Sequence, residues 1–223
     1  MDSIFRGDLA SAGGRLLAWT DALFIDHAVF RVVWSNAAVV APGRLYRANH
    51  PTPGRLAALA RRWGLASVIT LRGPTGNGSD ALAREAARRL GLTVIDMAMD
   101  SRGAPQPERI LRLAAIYRSM AMPALIHCKS GADRAGLAAG LFLLIEGASA
   151  QTALAQLSWR FGHVARSRTG ILDAFFLTYQ REAEGRIPFL DWVRNGYDPE
   201  ALRRRFRAHG MASFLNDTLL RRE

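Results

Sequence analysis

Cys128 and Arg134, with five residues between them, are the pair in this chain whose types and spacing suit chemistry on an anion. They stand in the stretch Pro123 to Gly136, which reads Pro-Ala-Leu-Ile-His-Cys-Lys-Ser-Gly-Ala-Asp-Arg-Ala-Gly. The apolar run Ala124-Leu125-Ile126 predicts the end of a buried strand, and the run from Gly136 through Leu144 predicts an apolar helix. A strand–loop–helix turn gathers backbone N–H groups and the positive end of a helix dipole at one point, which suits an anion. A thiol at such a point is favoured as thiolate, the nucleophilic form. Arg134 adds a planar, two-pronged donor of the kind that grips phosphate. Nucleophile and oxyanion binder are thus expected from a single loop.

His127, Cys128, Gly131, Arg134 and Gly136 fall where the His-Cys-x5-Arg phosphate loop of the cysteine-dependent tyrosine and dual-specificity phosphatases has them. The chain resembles that family. A second stretch resembles the opening of its atypical branch: Leu45-Tyr46-Arg47, a proline turn, a helix, and then Val68-Ile-Thr-Leu-Arg-Gly73. The likeness covers roughly residues 42–180. It implies a metal-independent phosphomonoester hydrolase that uses no cofactor. Cys128 attacks phosphorus to give a phosphocysteine, and water then hydrolyses it. Residues Lys129, Ser130, Gly131, Ala132, Asp133 and Arg134 would bind the phosphate, with His127 supporting the cysteine. The substrate implied is a phosphorylated protein. Lys129 and the Asp133–Arg134 pair also resemble branches acting on phosphoinositides, inositol phosphates or phospholipid head groups. One position departs from the family: Ala135 stands where a Ser or Thr usually assists the leaving thiolate. Slow phosphocysteine hydrolysis is therefore expected, with a burst before slow turnover. A phosphate-binding pseudophosphatase is the non-enzymatic alternative.

The leaving alkoxide or phenoxide needs a proton from a carboxylic acid on a loop. Asp100, after the predicted strand Leu92–Met97, is the first choice, with Asp96 and Asp133 as rivals. His163, Arg166 and Arg168 form a basic loop where the family lines its pocket. Arg47 and Arg72 are further candidates for substrate contact.

The elements that must position these groups alternate. Strands are predicted at Leu45–Arg47 (an edge strand), 66–71, 92–97 and 124–126, with helices through 53–62, 80–90, 107–121, 149–161 and 171–182. That alternation predicts an α/β fold with a central, mostly parallel sheet flanked by helices. Residues 8–24 predict a helix broken near Gly13-Gly14, with Leu9, Leu16, Leu17, Trp19, Leu23 and Phe24 packing as core. Phe30–Val40 reads as irregular. The 223 residues suit a single phosphatase domain: a helical extension over 1–41, a core over 42–182 and a helical appendage over 183–223.

A lone cysteine excludes the disulfide-scaffold class. The five scattered histidines offer no zinc spacing. A formal charge of +11 favours anionic partners, phosphorylated substrates or an acidic membrane surface, while no recognition helix or stacking motif supports nucleic-acid binding. The absence of a signal-peptide pattern makes the cytoplasm the expected location.

Overall fold

A computed structural model describes residues 3–5, 7, 9–26 and 34–208. They divide into two compact units. One joins the described residues up to Ala98 with Ala121–Gly131; the other joins Met99–Met120 with the described residues from Ala132 onward.

The first unit carries the sheet. Its strands are β1 (Ala38–Ala41), β2 (Leu45–Ala48), β3 (Ser67–Thr70), β4 (Thr93–Asp96) and β5 (Ala124–His127), in the order β1-β2-β5-β3-β4. Only β1 runs antiparallel, so the sheet is mostly parallel as expected. Strands β2, β3 and β5 are buried along their whole length, which matches their near-continuous apolar runs. Two expectations fail here. Leu45–Arg47 is not an edge strand, because residues 38–41, within the stretch read as irregular, pair outside it. Ala38-Val39-Val40-Ala41 gives no alternating signal because all four residues are apolar, although the strand is only partly buried.

The unit's helices are α1 (Ala12–Thr20), α2 (Pro53–Trp63) and α3 (Gly78–Arg89). Thr52 caps α2 by accepting from the Arg55 N–H, Pro53 opens it, and Gly64 closes it at φ 61°. Leu56 and Leu59 of α2 and Ala87 of α3 pack on Tyr46, Val68 and Leu125 of the sheet. Gly13 and Gly14 do not break α1; they form its first turn behind the cap Ser11. Its packing face agrees with the expectation only in part: Leu9 and Leu23 do pack against the core cluster. Ala18 and Ala22 meet Phe5 and Leu82, while Leu16, Leu17 and Phe24 are exposed. A close backbone crossing selects the small residues: a Cβ on Gly78 would lie 2.2 Å from the Ala18 carbonyl oxygen.

The second unit is helical: α4 (Pro107–Ser119), α5 (Asp133–Ile145), α6 (Ala150–Leu154), α7 (Ile171–Glu182), α8 (Phe189–Asn195) and α9 (Pro199–Ala208). Helix α5 is buried on almost every side. The Tyr117 hydroxyl of α4 donates to its Ala138 carbonyl at 2.9 Å, and burial raises that phenol's pKa. Phe175 and Tyr179 of α7 join Phe189, Trp192 and Tyr197 in one aromatic cluster. The helix expected over 149–161 stops at Leu154. There the backbone turns to i→i−3 bonds and ends in a 3-10 turn, Trp159–Phe161. Among the described residues, no helix is long and apolar enough to cross a membrane.

Candidate active site

Strand β5 ends at His127, and the next residue is Cys128, 2% exposed. Residues up to Gly131 belong to the first unit, where each of three successive carbonyls has a donor. The His50 backbone N–H reaches the Lys129 oxygen at 3.2 Å. Asn36 Nδ2 donates to Ser130 O, and Arg47 Nη2 to Gly131 O, both at 2.7 Å. A backbone whose carbonyls are held by its supports leaves its N–H groups to turn the other way, as an anion-binding nest requires. One of those N–H groups, that of Gly131, donates to Cys128 Sγ at 3.2 Å.

Gly131 makes the turn at φ +77°, a left-handed conformation that side chains disfavour. The space there is closed as well: a Cβ would meet the Asn49 nitrogen at 2.7 Å and Asn36 Cβ at 2.8 Å. Asn36 is itself left-handed, at φ 49°, a conformation Asn tolerates better than most residues. Asn49 anchors the same corner: its backbone N–H donates to Ser35 O at 2.8 Å, and its side chain donates to Trp34 O. His127 is buried with its ring edge-on to that of His50, centroids 4.8 Å apart.

Arg47, expected as a substrate contact, is 0% exposed and serves beneath the loop. Arg72 grips Asp26 with both guanidinium nitrogens, at 2.9 and 3.0 Å. Lys129 Nζ lies 3.2 Å from Asp26 Oδ1, the oxygen that also accepts from Arg72 Nη2. Asp96 is paired bidentately with Arg84, which also holds Asp80.

In the second unit, Ala132 precedes α5 at φ −84°, ψ −82° without a side-chain cap, and Asp133 and Arg134 form the first turn. The helix's leading N–H groups are thus not capped by the Ala132 side chain. Ala135 is fully buried. Gly136 is required by close approach, since a Cβ would lie 2.7 Å from the Gln156 carbonyl oxygen. Asp100 is largely exposed and 3.4 Å from Arg109. Arg166 and Arg168 lie in the turn before α7, but His163 is 2% exposed and does not line a surface. Its Nδ1 meets Asp133 and its Nε2 meets Asp173, each at 2.7 Å.

Burial by itself lowers the pKa of His163, but hydrogen bonds to Asp133 and Asp173 outweigh it and raise the value to about 9. The folded value exceeds the unfolded one, so this stabilisation is complete below about pH 6.5 and is lost as pH rises through about 9. Urea midpoints measured from pH 6 to 10 are expected to fall by the equivalent of roughly 3 kcal/mol, and His163→Gln to remove most of that slope. A slope unchanged by the substitution would refute the pairing.

Sequence reasoning missed Asn36, His50 and Asp26 as loop supports. The one available signal was the placement of Arg47 and Asn49 within and just after a strand otherwise apolar. Among the described residues, no group of three or more His, Cys, Asp or Glu is placed to hold a metal ion.

Comparisons with known proteins bear on the fold and the family. No protein of curated function matches the chain in sequence. Among solved structures, TpbA of P. aeruginosa is similar in fold, with 21% identity over 78% of this chain and 96% of its own, TM-score 0.50. A DUF442 protein of Shewanella putrefaciens matches at 20% identity over 69% and 95%, TM-score 0.50. The catalytic core of the PP-IP phosphatase SIW14 from S. cerevisiae gives 19% over 78% and 93%, TM-score 0.48. The family described as "Swiss Army Knife protein, DSP-PTPase phosphatase domain" (PTP-SAK) matches residues 35–172, more than half of the chain and the whole of the phosphate loop with its supports from Asn36 to His50. The chain therefore belongs to this family of cysteine-dependent phosphatases.

Proposed function

We propose that this phosphatase hydrolyses phosphate monoesters on protein, with phosphotyrosine as the leading substrate, through a phosphocysteine on Cys128. The observation that carries the reading is the loop's tied-back backbone. The carbonyls of Lys129, Ser130 and Gly131 are each occupied by a support, and the Gly131 N–H reaches the sulfur. Such a cradle binds a phosphoryl group through fixed donors that need no reorganisation as charge develops. Arg134, in the first turn of α5, would clamp two phosphoryl oxygens.

Phosphoinositide, inositol phosphate or lipid head-group substrates are the second reading, favoured by Lys129 and the Asp133–Arg134 pair. Against it, Lys129 already faces a carboxylate at 3.2 Å, and Asp133 faces His163 at 2.7 Å. Comparing kcat/KM on phosphotyrosine peptides with that on inositol phosphates and phosphoinositide vesicles tests the choice. At least a tenfold preference for the peptides is expected, and the reverse preference would favour the second reading.

Asp100 is our candidate acid because it is the most exposed of the three and its contact with Arg109 is long, at 3.4 Å, whereas Asp96 is held bidentately by Arg84 and Asp133 meets His163 at 2.7 Å. A poor leaving group needs the proton and a good one does not. Asp100→Asn is expected to lower kcat about 100-fold on phenyl phosphate and only a few-fold on p-nitrophenyl phosphate. Equal losses on the two esters would remove Asp100 from the role.

A further inference from the structure

Arg72 and Lys129, both candidates for phosphate contact, converge on one carboxylate from the N-terminal segment. The convergence is built into the sheet. Thr70 of β3 and His127 of β5 are paired in parallel register, and Arg72 and Lys129 each stand two residues beyond them. Both chains leave the sheet at its carboxyl edge, the side on which open α/β sheets bind ligands. Asp26 follows the last turn after α1 and is only 5% exposed, so its charge must be compensated by partners. Arg72 supplies a two-pronged grip, and Lys129 a single contact at 3.2 Å.

Lys129 is the adjustable member. Its side chain is 42% exposed, whereas that of Arg72 is 11% exposed. An ammonium on a flexible stem can be shared or transferred between anions, while a bidentate guanidinium is fixed by geometry. A substrate bearing only the scissile phosphate needs nothing from Lys129 beyond its backbone. A substrate with a second anionic group beside the first would have to win that ammonium from Asp26.

We infer that Asp26 is a specificity-determining residue: by holding Lys129, it makes the loop discriminate against substrates that carry a second phosphate. The inference deepens the phosphatase reading proposed above and rests on it.

Two aryl esters read the effect, phenyl phosphate and resorcinol bisphosphate, since neither depends on the natural substrate. Asp26→Asn is expected to raise the bisphosphate-to-monophosphate ratio of kcat/KM about five- to tenfold. Adding Lys129→Met to Asp26→Asn should erase that gain. Lys129→Met in the natural chain should change the ratio less than twofold, because the ammonium is already committed. This variant keeps the inference testable if Asp26→Asn, which uncovers Arg72, fails to fold by circular dichroism. A ratio unmoved by Asp26→Asn, or a more than fivefold fall in the ratio with Lys129→Met alone, overturns the role of Asp26. Loss of turnover on both esters in the natural chain would instead count against the phosphatase reading itself.

Discussion

Cys128→Ser is expected to lower turnover of p-nitrophenyl phosphate by about 1,000-fold or more, with EDTA leaving the natural chain's rate unchanged. The expectation follows from the environment of the sulfur. The Gly131 N–H donates to it at 3.2 Å, which holds the sulfur within the loop. A serine hydroxyl in the same place keeps its proton at neutral pH, so the nucleophile is lost while the loop's supports remain. The substitution is nearly isosteric, and Cys128 is buried, so the fold should survive. Phosphate binding should therefore persist, measured as competitive retention of inorganic phosphate by the inactive variant. Equal rates in Cys128→Ser and the natural chain would refute cysteine catalysis. Stopped-flow traces on the natural chain address a second point. Ala135 offers no hydroxyl to assist the departing sulfur, so a burst of nitrophenolate should precede slow turnover.

Gly131→Ala is expected to be the most damaging substitution outside the reacting groups. Two costs combine. The residue sits at φ +77°, where a side chain is strained by about 1–3 kcal/mol. Its Cβ would also press on the Asn49 backbone nitrogen at 2.7 Å and the Ala48 carbonyl carbon at 2.9 Å, and those atoms cannot swing aside. Overpacking of that kind adds about 1–3 kcal/mol. Relief requires the loop to lift from β2. That would break the Arg47 bond to the Gly131 carbonyl and leave a buried guanidinium without that acceptor. Denaturant midpoints should fall by an equivalent of roughly 2–6 kcal/mol. Because a displacement of about 1 Å at a reacting centre costs about 100-fold, activity should drop at least that much even where the variant remains folded. A Gly131→Ala variant with natural stability and turnover would show that the loop does not need this corner.

How much was legible in the sequence depended on the range of the interaction. Helix α2 was read nearly residue by residue, because Thr52, Pro53 and Gly64 act within their own turns. Strands β3 and β5 were legible because burial on both faces leaves an apolar run. Strand β1 was not, since four consecutive apolar residues carry no period and its existence depends on pairing with β2. The face of α1 was legible only in part, Leu9 and Leu23 packing as expected while Leu16, Leu17, Trp19 and Phe24 are exposed. Spacing reports which residues share a side, but the close crossing at Gly78 makes the alanine side the buried one.

The site divides along the same line. The sequence by itself determined the reaction class. Cys128, the loop glycine and Arg134 lie within seven consecutive residues between a strand and a helix, so their chemistry is a local property. Only the tertiary structure decided which of the many charges are free to meet a substrate. Arg47 lies under the loop, Asp26 engages Arg72 and Lys129, and His163 joins Asp133 to Asp173. Each of these pairings links residues from 10 to more than 100 positions apart. Charge compensation of buried groups depends on distances in the folded chain, and linear spacing does not encode those distances.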